Sequence, residues 1–236
     1  MGIMRTIKRK LGYTAVALFK KLPPRPTLRF LFQLDTWLYY LQGQMAVAYG
    51  GGVSPKHRLM GYHEFFVNRI RPGERVLDIG CGIGAVAYDV AERSGATVTG
   101  IDINERSIAQ ARAQFAHPRV TYQVGDVLQT LVGERFDVVV LSNVLEHLPE
   151  RPSFLRRVCQ QVQPARFLIR VPLFEREWRV PLKKELGVEW RLDPTHETEY
   201  TQESFAAEMA AAGLEIVHLQ VRWGEIWAEC HPVANG

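Results

Sequence analysis

Three short segments of the sequence combine glycines and acidic side chains that could hold a ligand. Residues 76–84 read Val-Leu-Asp-Ile-Gly-Cys-Gly-Ile-Gly, an apolar run that ends in a glycine-rich turn. Glycines at such a turn let the backbone bend tightly and approach a ligand closely. Asp102 ends the next apolar run, where a carboxylate can accept the hydroxyls of an adenosine ribose. Asp126 follows Gly125 after the third run, where it can receive the adenine amino group, so the segments together indicate an adenosine-containing cofactor.

Asp78 helps to decide between two cofactors that contain adenosine. Gly80, Gly82 and Ala85 also satisfy the spacing of the nicotinamide-dinucleotide fingerprint. A carboxylate beside the turn would repel a pyrophosphate, whereas S-adenosylmethionine carries an ammonium and a sulfonium and has no phosphate. Electrostatics therefore favour S-adenosylmethionine, although Asp78 could instead cap the turn that follows it.

These segments resemble the successive motifs of class I S-adenosylmethionine-dependent methyltransferases, as does Phe-Asp-Val-Val-Val-Leu-Ser-Asn-Val-Leu-Glu-His-Leu at 136–148. Within that family the sequence is similar to the small-molecule branch, typified by ubiquinone-biosynthesis O-methyltransferases and by bacterial sugar and polysaccharide methyltransferases. The resemblance covers about residues 55–220. It implies that the following residues line the binding site for S-adenosylmethionine: Asp78, Gly80, Gly82, Asp102, Ile103, Asp126, Val127 and Asn143.

Methyl transfer to a hydroxyl also needs a group that removes the hydroxyl proton. His147 follows the fourth predicted strand, the edge from which acceptors approach in the family, and it either acts as this base or packs at the start of a helix. His196 lies in the segment 172–201, which we expect to form a lid-like insertion, and it is a second candidate base unless its polar surroundings only serve the start of the next helix. Asp193, His196 and Glu197 offer metal ligands, but their spacing matches no metal motif, so no metal is predicted.

The same insertion and the strand before it contain groups suited to binding an acceptor. Trp178 and Trp190 can stack on sugar or aryl faces. Four arginines suit anionic acceptors such as nucleotide-linked or lipid-linked sugars: Arg170, Arg176, Arg179 and Arg191. The resemblance and these residues together predict O-methylation of a hydroxyl on a glycan precursor, a lipid-linked sugar or a similar small molecule. The alternative is O-methylation of a quinone-like phenol at the membrane surface.

The elements that must position these residues alternate between strands and helices from residue 75 onward. Apolar runs separated by helical patterns are typical of a parallel sheet that is covered on both faces. Strands are predicted at Arg75–Ile79, Thr97–Ile101, Val120–Val124, Phe136–Leu141, Phe167–Val171, 214–220 and 225–230, and helices at 55–70, 85–93, 105–115, 151–162 and 202–212. We therefore expect an α/β fold, a Rossmann-like doubly wound sheet of about seven strands with a C-terminal antiparallel hairpin and an N-terminal helical extension.

The N-terminal part carries most of the excess positive charge. The first 60 residues contain ten Lys or Arg and the single acid Asp35, whereas the whole chain has a net charge of +4. A helix over residues 3–22 would place its apolar side chains on one stripe, for docking on an anionic membrane or an acidic carrier, or for simple packing over the domain. Pro-Pro-Arg-Pro at 23–26 is expected to break any helix, and an aromatic-rich helix is predicted at 27–48.

The composition is that of one ordinary globular domain with an extension. The 236 residues are 47% hydrophobic and 23% charged, which is enough to bury a substantial core. We predict a basic helical extension at 1–54 and a methyltransferase domain at 55–236, which includes the insertion. The cysteines are far apart and form neither a disulfide framework nor a metal-ligand cluster: Cys81, Cys159 and Cys230. A cytoplasmic protein is expected, with peripheral contact to the inner membrane face through the extension.

Two other classes of function are weighed against methyl transfer. A nicotinamide-dependent oxidoreductase is disfavoured by Asp78 and by the lack of room for a separate catalytic domain. A noncatalytic or nucleic-acid-binding scaffold would use the basic extension and would bind in a salt-dependent way. The intact acids of the cofactor segments argue against a scaffold, so the expected partner is a small-molecule or glycan acceptor and not a nucleic acid.

Overall fold

The structure is a computed structural model that describes residues 16–129 and 133–233. Residues 16–19 are helical, but most of the helix predicted at 3–22 lies outside the described residues. Within the described ranges, none of the helices has the length and apolarity needed to cross a membrane.

The described chain divides into two compact units. The first contains the described residues up to Pro55 together with Trp178–Trp190, and the second contains Lys56–Glu177 and the described residues from Arg191 onward. The predicted insertion at 172–201 is therefore shared between the units.

The first unit is built around one long helix, α1, Pro24–Tyr49. The expected helix break is observed, since the helical residues 16–19 are followed by a turn and α1 is a separate helix. α1 begins at Pro24, three residues before the predicted start at 27, because a proline lacks only an N–H that the first turn of a helix leaves unpaired anyway. Phe32 of α1 is buried against Leu186 and Val188, which lie in Trp178–Trp190, the other stretch of chain in this unit.

A helix at Arg179–Glu185 also belongs to the first unit. It is numbered α7 in chain order. Sequence reasoning missed it and expected irregular structure there. The Lys183 ammonium of this helix lies 3.1 Å from the Asp35 carboxylate of α1.

The second unit is organised by a seven-stranded sheet. In chain order its strands are β1 Arg75–Ile79, β2 Thr97–Asp102, β3 Val120–Val124, β4 Val138–Ser142, β5 Arg166–Pro172, β6 Leu214–Arg222 and β7 Glu225–Pro232. Their spatial order is β3-β2-β1-β4-β5-β7-β6. The first five strands are parallel, and β7 is antiparallel to β5 and β6. The predicted fold class is confirmed, including the C-terminal antiparallel pair.

Helices cover both faces of this sheet. They are α2 Lys56–Met60, α3 Tyr62–Val67, α4 Ala85–Ser94, α5 Glu105–Gln114, α6 Arg151–Gln161 and α8 Gln202–Ala211. Side chains alternate across a strand, so Val138 and Val140 of β4 belong to one buried cluster and Val139 and Leu141 to another. Because both faces are buried, the strands read as continuous apolar runs.

The helix predicted at 55–70 is in fact two short helices. Gly61 lies between α2 and α3 with φ of 64°, in the left-handed region that ends a helix and favours glycine. At the other end of the domain Thr201 caps the start of α8, since its hydroxyl accepts the Ser204 N–H at 3.1 Å.

Candidate cofactor and acceptor site

The glycine turn after β1 is held against the end of β2 by backbone hydrogen bonds. Gly80 donates its N–H to the Ile101 carbonyl at 2.7 Å, and its φ is 69°. A side-chain Cβ at Gly80 would lie 2.5 Å from a methyl of Val144, so only glycine fits there. A Cβ at Gly82 would meet nothing within 4 Å, which leaves open space above the turn for a ligand.

Asp102 occupies the end of β2, and its carboxylate is fixed by two backbone N–H groups. Gly82 donates to Oδ2 at 2.8 Å, and Asn104 donates to Oδ1 at 2.8 Å. Gly125 donates its N–H to the Asp102 carbonyl at 3.1 Å. The structure therefore brings the three predicted cofactor segments together at the carboxyl ends of adjacent parallel strands.

Asp78 lies beneath this turn and is 2% exposed. Its Oδ2 has no hydrogen-bond partner among the described residues. Burial, together with the nearby charge of Asp102, raises the pKa of Asp78 from 3.8 to about 8. A buried carboxylate with an unpaired oxygen fits a cationic ligand, because an ammonium or a sulfonium would offset the cost of burying the negative charge.

The other predicted cofactor residues differ in how far they are exposed and in what they bind. The Asp126 carboxylate accepts the Leu128 N–H at 2.9 Å and the Gln129 side-chain amide at 2.9 Å, which fixes the loop after β3. Ile103 is 69% exposed, whereas Val127 is partly buried against the core. Asn143 has φ of 57° and donates its N–H to the Arg170 carbonyl at 2.8 Å. An exposed apolar side chain such as Ile103 is available to cover an adenine ring, but the roles of these residues stay predictions.

The two predicted catalytic histidines are neighbours, although 48 residues separate them in the sequence. The rings of His147 and His196 meet edge to face with their centroids 4.6 Å apart. His147 Nδ1 lies 3.0 Å from the Thr195 hydroxyl, which donates to Asp193 at 2.7 Å. Since that hydroxyl proton is directed at Asp193, Nδ1 of His147 is the donor, and its Nε2 is left as a proton acceptor.

Glu146 is a functional candidate that sequence reasoning missed. Its side chain is fully buried, and neither carboxylate oxygen has a hydrogen-bond partner among the described residues. Burial raises its pKa from 4.5 to about 8. The sequence did contain one indication of a role for Glu146. It directly precedes His147 in the motif at 136–148, and the segment after the fourth strand was already expected to face the acceptor.

Glu146, His147 and His196 also offer one ligand atom each within 4.8 Å of one another. Two imidazoles and one carboxylate form a donor set suited to a divalent transition metal such as zinc. The possible metal ligands considered from the sequence were Asp193, His196 and Glu197. The structure groups His196 with Glu146 and His147 instead. The prediction of no metal stays a prediction.

Arg170, at the end of β5, is buried beside this cluster and is already paired. Its guanidinium donates to the Glu225 carboxylate at 2.6 and 2.9 Å and to the Ser142 hydroxyl at 3.0 Å. It also lies 3.7 Å from the centre of the Tyr62 ring. Arg176 forms an ion pair with the buried Glu199. Two of the four arginines expected to hold an anionic acceptor are thus paired with carboxylates of the chain itself.

A second chain of polar side chains joins α2, α3 and α4. The Asp89 carboxylate accepts from His63 Nδ1 at 2.6 Å, and His63 Nε2 lies 2.8 Å from His57 Nδ1. The Tyr62 hydroxyl lies 2.7 Å from the same His57 nitrogen. Burial lowers the pKa of His57 to about 4 and raises that of Tyr62 to about 12, so both are neutral near pH 7.

Residues 55–219 match the family described as "Methyltransferase domain". The chain belongs to this methyltransferase family. Its cofactor is S-adenosylmethionine, as the acids of the strand ends predicted, and the nicotinamide alternative is wrong. The unpaired oxygen of Asp78 and the open space above Gly82 fit that cofactor.

Several known proteins are similar to this methyltransferase. A "Ubiquinone biosynthesis O-methyltransferase" of Azorhizobium caulinodans is 37% identical over 161 residues, which are 64% of this chain and 63% of the relative. This chain therefore spans less than two thirds of that relative's length. A TehB-like S-adenosylmethionine-dependent methyltransferase from Corynebacterium glutamicum has a TM-score of 0.57 at 20% identity, covering 82% of this chain and 96% of its own. Human N-acetylserotonin methyltransferase has a TM-score of 0.60 at 18% identity, covering 75% of this chain and 53% of its own. The similarity to these two solved structures shows the fold alone.

Proposed function

We propose that this methyltransferase transfers the methyl group to the hydroxyl of a small phenolic, quinone-like acceptor. The observation that carries the proposal is the meeting of His147, His196 and the unpaired Glu146 carboxylate after β4. This cluster lies at the same edge of the sheet as the cofactor acids, because the carboxyl ends of parallel strands point in one direction. The name of the Azorhizobium caulinodans relative supports a phenolic acceptor.

The acidity of the acceptor favours a phenol over a sugar. A phenolic hydroxyl has a pKa of about 10, whereas a sugar hydroxyl is a much weaker acid. A neutral imidazole assists the loss of a phenolic proton but is poorly matched to an aliphatic hydroxyl. Arg170 and Arg176, which had supported a sugar carrier, are paired with Glu225 and Glu199. The glycan acceptor stays a prediction, and the quinone-like phenol becomes the first candidate.

In this proposal one group of residues binds the cofactor and another group binds and deprotonates the acceptor. S-adenosylmethionine, when bound, supplies a methyl group activated by positive sulfur. Asp78 is protonated near pH 7 in the cofactor-free protein and would ionise beside the cationic end of the bound cofactor, and Asp102 would accept the ribose hydroxyls. His147 Nε2 accepts the phenolic proton, and Asp193 maintains the required tautomer through the Thr195 hydroxyl.

A comparison of acceptors tests the proposal. The purified chain is incubated with S-adenosylmethionine and either catechol-type phenols or free and lipid-linked sugars, and S-adenosylhomocysteine formation is measured. We expect turnover with phenols, and a loss of about 100-fold in His147→Gln because one proton acceptor is removed. Turnover with sugars alone, or full activity of the variant with phenols, would refute this assignment.

The predicted peripheral contact of residues 3–22 with a membrane stays a prediction, since most of that segment lies outside the described residues. A quinone-like acceptor with an apolar tail would give such contact a purpose, because the substrate itself would reside in the bilayer.

A further inference from the structure

We propose that the exposed apolar stripe of α1 binds the surface of an anionic lipid bilayer. The inference concerns a different part of the chain from the cofactor site, and it does not depend on which acceptor is methylated. The sequence prediction placed membrane contact in the extension at 1–54 and argued it from a helix over 3–22; the inference here is argued from a different helix of that extension, α1.

The first observation is that α1 has apolar side chains on two opposite faces. At about 100° per residue, Phe32 points to one side of the helix, where it is buried against Leu186 and Val188. A second stripe, about 120° wide, lies on the far side, with spacings of three and four residues. Its members are all exposed: Phe30, Leu31, Leu34, Trp37, Leu38, Leu41, Met45 and Tyr49.

The exposed apolar area of the stripe is large enough to indicate a binding surface. Phe30 and Trp37 are each 57% exposed, Met45 is 59% exposed and Tyr49 is 86% exposed. Soluble proteins rarely expose large contiguous apolar patches, and those that do commonly use them for binding. The part of the chain that the structure describes does not cover the stripe.

The chemistry of the stripe favours a bilayer surface over another protein. Residues 36–55 contain no Asp, Glu, Lys or Arg, so the stripe can enter the acyl boundary without burying a charge. Aromatic side chains with polar tips, such as Trp37 and Tyr49, are favoured at the membrane interface. The helix is nevertheless not apolar enough to span a membrane, which leaves the orientation parallel to the surface.

The charges around the stripe favour anionic lipid. Lys20, Lys21 and Arg25 are exposed at the N-terminal side of α1. Asp35, the acid of this helix, lies 3.1 Å from Lys183 and is thereby neutralised. A second copy of the chain would bring these cations against like charges, whereas phosphatidylglycerol headgroups would attract them at about fivefold in affinity per residue.

Vesicle flotation with the full chain tests the inference. We expect binding to vesicles of phosphatidylcholine mixed with phosphatidylglycerol, weaker binding to phosphatidylcholine alone, and a decrease with added salt. Phe30→Gln should reduce binding about tenfold, because it removes one large apolar side chain from the N-terminal end of the stripe, next to the basic residues. Tyr40→Gln is the matched control: Tyr40 is 65% exposed on the same helix but outside the stripe, and its replacement should have less than a threefold effect.

Light scattering in the absence of lipid separates the remaining outcomes. The proposal expects the same molar mass for the unmodified chain and Phe30→Gln. A dimer that Phe30→Gln converts to a monomer would overturn it and assign the stripe to a second copy. Absence of vesicle binding by the unmodified chain, or equal binding by Phe30→Gln, would also overturn it. Because no assay here requires methyl transfer, failure of this inference and failure of the phenolic acceptor are distinguishable.

Discussion

Replacement of Asp78 by asparagine should stabilise the cofactor-free protein and weaken its cofactor binding. Asp78 is buried with an unpaired oxygen, and its pKa is raised from 3.8 to about 8. In the unfolded chain the carboxyl loses its proton near pH 4, but in the folded chain it keeps the proton up to about pH 8. The folded state therefore binds more protons across this range, and rising pH favours unfolding.

The size of the effect follows from the same pKa values. At about 1.4 kcal/mol per pH unit, the step from 3.8 to about 8 corresponds to at most roughly 5 kcal/mol of stability lost between pH 4 and pH 8. Glu146 titrates in the same direction, because burial raises its pKa to about 8 as well. Asp78→Asn should therefore remove about half of the combined decline. Even a gain of about 2 kcal/mol at pH 9, less than half of that upper limit, would raise the melting temperature by about 4–8 °C.

Thermal unfolding followed by circular dichroism at pH 5, 7 and 9 measures this decline. Without cofactor, Asp78→Asn should melt higher than the unmodified chain at pH 9, and the difference should shrink at pH 5. With S-adenosylmethionine the order should reverse, since the variant lacks the buried charge that the cationic cofactor pairs with. Glu64→Gln is the control, because Glu64 is exposed and paired with Arg93, and its loss should leave the decline unchanged. A variant that melts lower than the unmodified chain at pH 9 would refute the reasoning.

Three further substitutions test the site. Asp102→Asn should weaken S-adenosylmethionine binding tenfold to about 100-fold in calorimetry, because hydrogen bonds to a charged group contribute about 1.5–3 kcal/mol; unchanged affinity would remove Asp102 from the cofactor site. Gly80→Ala should lower the free energy of unfolding by about 1–3 kcal/mol in urea titrations, and Val144→Ala should partly restore it by removing the clash at 2.5 Å. Thr195→Val should lower kcat with little change in KM, because the His147 tautomer is no longer maintained; an unaltered pH–rate profile would contradict this role.

Local sequence patterns sufficed for the sheet and the cofactor end of the site. The strands β1, β4 and β5 are short apolar runs that are almost entirely buried, so their composition and length identified them within a few residues. β3 is an edge strand whose Thr121, Gln123 and Val124 are exposed. Asp102 and the glycines at 80 and 82 could be proposed as cofactor residues because each lies at the end of an apolar run, and their roles stay predictions. Their hydrogen bonds join groups at the ends of neighbouring strands.

The acceptor end was harder to predict because it is assembled from distant segments. Glu146 is unusual only in three dimensions, where burial leaves both of its oxygens unpaired. The pairing of Arg170 with Glu225 joins β5 to β7, and no spacing rule relates residues that are 55 positions apart. The helix α7 was missed for a similar reason, because the cluster that buries it includes Phe32 and Leu28 of α1, about 150 positions away in the sequence.

The position of β7 has a consequence for the order in which the protein is completed during synthesis. β7 is the last strand in the chain, yet it lies inside the sheet, between β5 and β6. Arg170 thus leaves the ribosome 55 residues ahead of Glu225, the carboxylate that neutralises it. A nascent chain that ends before β7 holds an unpaired cation where the core should close, and burying it would be costly. We therefore expect the acceptor end of the site to close only after β7 has paired with β5.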